Sequence, residues 1–450
     1  MQIIADLHLH SKYSRAVSPQ MNLEEISRFA KLKGIQLVAT GDWTHPLWFR
    51  EIKSKFKDNS SGVFQLNGVG FLLSTEISSI YSQGDKLRRI HSVVISPSLE
   101  TCEKINKELT KRGCNLMADG RPIIGLSAKE LLKLVLEIDE RVLFIPAHVW
   151  TPWFSVFGSK SGFDSLYECF GDFDRYIYAI ETGLSSDPIM NWQIKELENR
   201  SIVSSSDAHS CPKLGREATV FVPTMEQFNN LPAGRQGLTM KDFTYDDFSD
   251  AIKQTSNSKL KIGYTIEFFP EEGKYHWTGH RSCNIKYSAA ETKNKGIICP
   301  VCNKPLTVGV ENRVLELSEK LLIDKDLLFV KNQACLTFVY DKEKKRRPFV
   351  SLVPLLEVLL EINSGSPTKA QKEYERLTAN FATEFDILLR KPYQEIESFA
   401  GEKLRQAIET VRERKVFVDP GYDGVFGQVK IFQKTNEDNK KEQTTQQALF

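Results

Sequence analysis

Two short motifs in this 450-residue chain carry chemistry before any fold is assigned. Ile3-Ile4-Ala5-Asp6-Leu7-His8-Leu9-His10 is an apolar run ending in His-x-His, and Ile202-Val203-Ser204-Ser205-Ser206-Asp207-Ala208-His209 is one ending in Asp-x-His. Alternate residues of a strand share a face, so each pair aims two metal-binding side chains the same way. Asp42, Glu76, His91 and His148 each fall at or near the end of a further predicted strand. Imidazoles mixed with carboxylates suit zinc, manganese or iron, and a bridging carboxylate sets two ions about 3.5 to 4 Å apart, the geometry that hydrolyses phosphate esters. Glu76 is the choice of bridge. The expected ligands are His8, His10, Asp42, Glu76, His91, His148, Asp207 and His209, with Asp207, Glu76 and His148 assigned to the reaction itself.

A second cluster has a different purpose. His280-x2-Cys283 and Cys299-x2-Cys302, with 15 residues between them, have the spacing of two metal knuckles and predict one structural zinc. His276 is an alternative to His280 as the fourth ligand. The other five cysteines, Cys102, Cys114, Cys169, Cys211 and Cys335, are isolated, so reduced thiols beside a metal site fit better than a disulfide framework.

The elements that must position these residues alternate up to about residue 225. Strands are expected at Ile3–Leu7, Gln36–Ala39, Val69–Ser74, Ile90–Ile95, Val142–Ala147, Tyr176–Glu181 and Ser201–Ser205. Helices are expected at Leu23–Lys33, Leu99–Arg112, Ala128–Ile138 and Pro188–Asn199, with Ser127 and Asp187 as N-caps. Such alternation predicts parallel β/α units in a barrel or a doubly wound sheet. Polar residues at the ends of so many strands favour the barrel, whose strand ends converge on one mouth.

Residues 1–268 are therefore read as the barrel, 269–310 as a zinc-ribbon module, and 311–432 as a mainly helical domain. Its helices are expected at Val314–Leu322, Leu352–Ile362, Gln371–Leu389 and Tyr393–Arg414. Asn229–Gly237 is a turn-rich excursion, and 433–450 a polar, disordered tail. Hydrophobic residues make up 41% and charged ones 26%, with no apolar run long enough for a membrane span, so a cytoplasmic protein without a membrane partner is expected. The net charge of +2 chooses no partner; the run Asp341–Arg347 is basic on balance and could meet phosphates.

Asp6-Leu7-His8-Leu9-His10-Ser11, Thr40-Gly41-Asp42, Ser74-Thr75-Glu76, His91, Pro146-Ala147-His148 and Ser206-Asp207-Ala208-His209 together resemble the polymerase-and-histidinol-phosphatase (PHP) superfamily. That resemblance implies a distorted β/α barrel in which His8, His10, Glu76 and Asp207 hold one ion, Glu76, His91 and His148 a second, and His209 belongs to a third. Where many relatives carry additional histidines this chain has Ser14 or Arg15, and Trp43, which implies a weak or absent third ion. Two or three divalent ions (Zn, Mn or Mg) are expected.

The order of those motifs, Glu181-Thr182-Gly183-Leu184-Ser185-Ser186-Asp187, Pro270-Glu271-Glu272-Gly273-Lys274-Tyr275-His276, the cysteine cluster, Pro305–Val310 and Pro420-Gly421-Tyr422-Asp423-Gly424 resembles the endonuclease Q family up to about residue 432. It implies a repair endonuclease whose partner is DNA, nicked 5′ of uracil, hypoxanthine, xanthine or an abasic site. A small-molecule phosphomonoesterase of the histidinol-phosphatase kind is the alternative. The closing Gln446-Gln447-Ala448-Leu449-Phe450 resembles peptides that dock bacterial sliding clamps, through Gln446, Leu449 and Phe450.

Overall fold

The computed structural model describes residues 1–224 and 238–432, so the excursion at Asn229–Gly237 and the tail bearing Gln446, Leu449 and Phe450 lie outside the described residues. Local signals behave as their chemistry demands. Asn22 caps the helix Leu23–Lys33 by accepting from the Glu25 N–H, and Gly34, at φ 82°, ends it. Ser127 and Glu130 close a capping box on Ala128–Ile138. Asp187 caps its helix as expected, yet that helix stops at Trp192, short of the expected Asn199. Asn191 there accepts from the Trp150 indole and donates to the Asp187 carbonyl, and the chain turns extended at Ile194.

The fold is mixed α/β around a large sheet. Among the described residues twelve strands join it, in the path 327–331, 337–341, 349–351, 260–267, 218–223, 3–6, 37–39, 69–83, 86–96, 143–146, with 64–66 and 123–124 pairing onto 69–83. The pair Ala179–Glu181 and Ser201–Val203 forms a separate parallel ladder. All seven expected strands are present, but the expectation of parallel neighbours throughout is corrected. Val69–Gln83 and Lys86–Ser96 form a long antiparallel hairpin. Their two-residue link, Gly84-Asp85 with Gly84 at φ 60°, can only return the chain alongside itself. The polar residues of its outer half hid its length: Glu76 lies inside a 15-residue strand, not at the end of a short one.

The stretch after residue 311 also differs from its expected helices. Leu327–Lys331, Thr337–Asp341 and Phe349–Ser351 are strands, the last parallel to Leu260–Glu267, so this part extends the main sheet. The long helices expected at 371–389 and 393–414 are each two, divided at the new N-cap Thr383 and at Gly401, φ 87°. One buried cluster takes Ile3, Ala5, Leu37, Leu72, Val93, Leu143, Ala179, Val203 and Phe221 from successive strands, closed below by Phe248 and Ile252. No helix among the described residues is long and apolar enough to cross a membrane.

Candidate metal centre

His8 and His10 follow the first strand directly and are held against the Asp-x-His motif 200 residues away. The His10 N–H donates to the Ala208 carbonyl (3.0 Å), while Asp6 accepts from the Ser206 N–H (3.0 Å) and hydroxyl (2.6 Å). On the hairpin, Ser78 pairs with His91 and Glu76 with Val93, which puts Glu76 and His91 on one face. His148 follows Leu143–Pro146, and Glu181 ends Ala179–Glu181.

These placements bring three groups of ligand-type atoms together, each within 4.8 Å: His8, His10 and Glu76; His10, Asp207 and His209; Glu76, His91 and His148. Glu76 is common to two of them. Its Oε1 lies 2.6 Å from His91 Nδ1 and 3.1 Å from His148 Nε2, and its Oε2 lies 3.3 Å from His10 Nε2 and 3.8 Å from His8 Nε2. Each carboxylate oxygen thus faces a different group.

The unpartnered atoms are the most informative feature. His8 Nε2, His10 Nε2 and Asp207 Oδ1 are buried and make no hydrogen bond, although His10 Nε2 and Asp207 Oδ1 are only 3.1 Å apart. Leaving such atoms unsatisfied costs about 1–3 kcal/mol each. Behind them, His8 Nδ1 contacts both oxygens of Glu181 (3.1 and 3.0 Å), and His10 Nδ1 contacts Asp42 Oδ1 (3.0 Å). A carboxylate on Nδ1 fixes the tautomer that leaves Nε2 as a lone pair, which is how metal-ligating histidines are oriented. The donor set fits divalent cations. Burial pulls His91 down to about 4, leaving it neutral and able to donate its lone pair.

Asp42, expected among the ligands, belongs to none of the groups. Its Oδ1 faces His10, and its Oδ2 accepts from the Ser11 N–H (2.6 Å), the Ser11 hydroxyl (2.8 Å) and the Ser14 hydroxyl (2.8 Å). Asp42, His148 and Asp207 all have positive φ, 48°, 31° and 47°. Strain of this kind costs about 1–3 kcal/mol per residue and gathers at functional sites. Glycine makes room for it: a Cβ on Gly183 would come 2.4 Å from His148 Cβ, and one on Gly120 would come 2.4 Å from Asp42 Oδ2.

Two residues in the site were not among the expected ligands. Glu181, at the end of Ala179–Glu181, also accepts from the His148 N–H (3.0 Å), binding two of the histidine segments together. Arg121, whose Nη1 lies 3.1 Å from Glu76 Oε2, comes from an aperiodic loop and gave no sequence signal.

Just below this layer Glu217 and Glu267 are fully buried, each with an unpartnered Oε2. Burial first, then their neighbouring carboxylates, push both well above the ordinary glutamate range. A raised folded pKa means the native state holds protons the unfolded chain releases, so stability declines as pH rises above the ordinary value of about 4.5. Glu267 accepts from the Ser204 hydroxyl, which a glutamine oxygen can also do. Glu267→Gln is therefore expected to flatten the fall in melting temperature between about pH 5 and 8, read by calorimetry; a slope equal to wild type would contradict the assignment.

The cysteine cluster is equally compact. His280, Cys283, Cys299 and Cys302 bring one donor atom each within 4.8 Å, His280 at the end of the hairpin strand Thr278–His280. His276 is outside the group, buried, with Nδ1 3.4 Å from the Ser185 carbonyl. Burial opposes ionisation of Cys299, but the Val301 and Cys302 N–H groups and His280 bring its thiol down to about 6. This unit sits on the loop after His148: the Ser159 hydroxyl donates to the Val308 carbonyl (3.0 Å), and Arg313 Nε to that of Phe157 (3.0 Å).

No family model matches the chain. Two curated relatives carry no stated function. An uncharacterised protein of Bacillus subtilis is 27% identical over 448 residues, covering 95% of this chain and 99% of that protein. An uncharacterised protein of Methanocaldococcus jannaschii is 28% identical over 284 residues, and the aligned part spans 62% of this chain but only 31% of that protein's length. Among solved structures, PfuEndoQ, a lesion-specific endonuclease of Pyrococcus furiosus, has a TM-score of 0.77 and 30% identity, covering 98% of this chain and 99% of that one. Endonuclease Q in complex with a 27-mer duplex carrying an abasic lesion at its active site also gives a TM-score of 0.77 and 30% identity, covering 97% and 100%. With the likeness running over essentially the whole of both molecules, the chain belongs to the endonuclease Q family.

Proposed function

We propose that this chain is a metal-dependent DNA-repair endonuclease that hydrolyses the phosphodiester on the 5′ side of a deaminated base or an abasic site. The observation that carries the reading is the set of buried, unpartnered ligand atoms on His8, His10 and Asp207, in a chain whose end-to-end structural relatives are lesion-specific DNA endonucleases.

His8, His10, Glu76 and Asp207 would hold one cation, Glu76, His91 and His148 a second, and His209 with His10 and Asp207 a third. Bound there, divalent cations supply acidity to a water nucleophile and positive charge to the phosphoryl oxygens. The side chains then divide the remaining work. Asp207 is 28% exposed at its side chain, so it can meet incoming water and take its proton. Glu181 and Asp42 keep the two imidazoles aimed, and Arg121 offers a guanidinium beside Glu76 to the phosphate's negative charge.

The architecture is best read as a distorted barrel. The 179–181 and 201–203 pair contributes Ala179 and Val203 to the same interior cluster as the main sheet, and is tied to it by Val149 N–H to the Glu181 carbonyl (3.1 Å) and Ser204 N–H to the Thr219 hydroxyl (3.0 Å).

His280, Cys283, Cys299 and Cys302 would hold one structural zinc. Among the described residues the buried apolar cluster there is Tyr287, Cys299 and Leu306 with Ile285 partly buried against them, too little to fold the unit without a metal. Cys299→Ser should remove one zinc equivalent by elemental analysis and weaken binding of lesion duplexes at least about tenfold, since the ribbon needs its metal to fold. Retained zinc would contradict the ligand set.

Metal-replete protein mixed with four duplexes (uracil, hypoxanthine, abasic and undamaged) tests the function itself. Cleavage of lesion strands immediately 5′ of the lesion, with the undamaged duplex intact, is expected; equal cutting of all four, or none, would reject the reading.

A further inference from the structure

We propose that Arg89 grips a backbone phosphate flanking the one to be cleaved, an inference that rests on the endonuclease reading and adds a positioning residue to it. In the hairpin register Glu76 opposes Val93, Ser78 opposes His91 and Ile80 opposes Arg89, so Arg89 emerges from the same face as Glu76 and His91. Two residues of strand separate Arg89 from His91, about 6.6 Å, a step comparable with that between successive phosphates of an extended strand.

The guanidinium is held but not neutralised. It lies 5.6 Å from the ring of Phe154, whose other contact is His91 at 4.6 Å between centroids. Phe154 adopts a left-handed φ of 65°, and its carbonyl accepts from the His91 N–H (3.0 Å). The phenyl ring thus lies between a candidate metal-centre histidine and a cation. Among the described residues Arg89 has no carboxylate partner within 4.0 Å, and it is half-buried. Its neighbour Arg88, on the opposite face, is committed to the Gly162 carbonyl and the Phe163 ring, while Arg121 sits at the centre itself, on Glu76. An unpaired guanidinium on the face of the hairpin that carries Glu76 and His91, rooted one phosphate step along the strand from His91, is suited to a polyanion bound in one register.

The test is the salt dependence of binding to a duplex with a single tetrahydrofuran abasic analogue, using the full chain and its Arg89→Ala and Arg89→Lys variants. Removing one phosphate contact should weaken binding about tenfold and make the slope of log K against log salt shallower by about 0.9, while Lys keeps the wild-type slope. Metal content should equal wild type in both. Weaker binding with an unchanged slope in Arg89→Ala, or an equal slope change in both variants, would overturn the contact in favour of packing on Phe154. Failure of the unsubstituted chain to prefer the abasic duplex would instead remove the endonuclease reading and this contact with it.

Discussion

Asp207→Asn should lower nicking of a lesion duplex by at least about 10³-fold, equivalent to about 4 kcal/mol of barrier, while binding of that duplex is retained or tightened. The residue carries three separate burdens. Its Oδ1 is buried without a hydrogen bond, it belongs to the group with His10 and His209, and its carboxylate is the partly exposed one. Burial favours the protonated acid, but the hydrogen-bonding reach of His10 and the neighbouring His8 and His209 imidazoles hold it well below the usual carboxylate range, so it is an anion at working pH. Asparagine keeps the shape and tolerates the left-handed φ of 47°, which makes the variant a test of charge, not of folding. It also removes a negative charge beside the phosphate, hence the sign expected for affinity. Gel-resolved single-turnover nicking with parallel anisotropy titrations measures both; a rate within tenfold of wild type would withdraw Asp207 from the reaction.

Glu76→Gln is the second large effect. One carboxylate oxygen faces His91 and His148 and the other faces His10 and His8, so an amide, with one acceptor oxygen and an NH₂ donor, can serve only one side. The expected outcome is loss of at least one metal per chain from the barrel centre, retention of the ribbon zinc, and a fall in nicking of about 10³-fold. Plasma mass spectrometry on protein dialysed against limiting metal gives the stoichiometry. Unchanged barrel metal would show that Glu76 is not a bridge.

Two scarce residue types, histidine and cysteine with eight each, made the candidate site legible in sequence. Histidine pairs at apolar strand ends have few other uses, and Cys-x2-Cys spacing is nearly self-explanatory, so His8, His10, His148, Asp207 and Cys299 could be named before a fold was known. What could not be read was direction. Asp42 and Glu181 both stood at strand ends, yet only side-chain geometry shows that both carboxylates lie on the Nδ1 side of a histidine. The left-handed backbone at Asp42, His148 and Asp207 was equally hidden, because none of them is glycine.

The fold was misjudged where alternation is missing. The outer half of Val69–Gln83 is rich in serine, and Leu327–Lys331 is a short unbroken apolar run closed by a lysine, so neither shows the apolar–polar alternation that marks a half-buried strand. His280 was distinguished from His276 only once the hairpin Thr278–Tyr287 placed it among the three thiols.

Stripping the barrel centre with chelator under conditions that spare the ribbon zinc, then titrating Mn, Zn or Mg back while following cleavage of one labelled abasic duplex, reaches the central claim most directly. Nicking should be absent at the start and rise as two or more metal equivalents fill, with the cut 5′ of the lesion. Full nicking by protein that holds only the ribbon zinc would contradict the account.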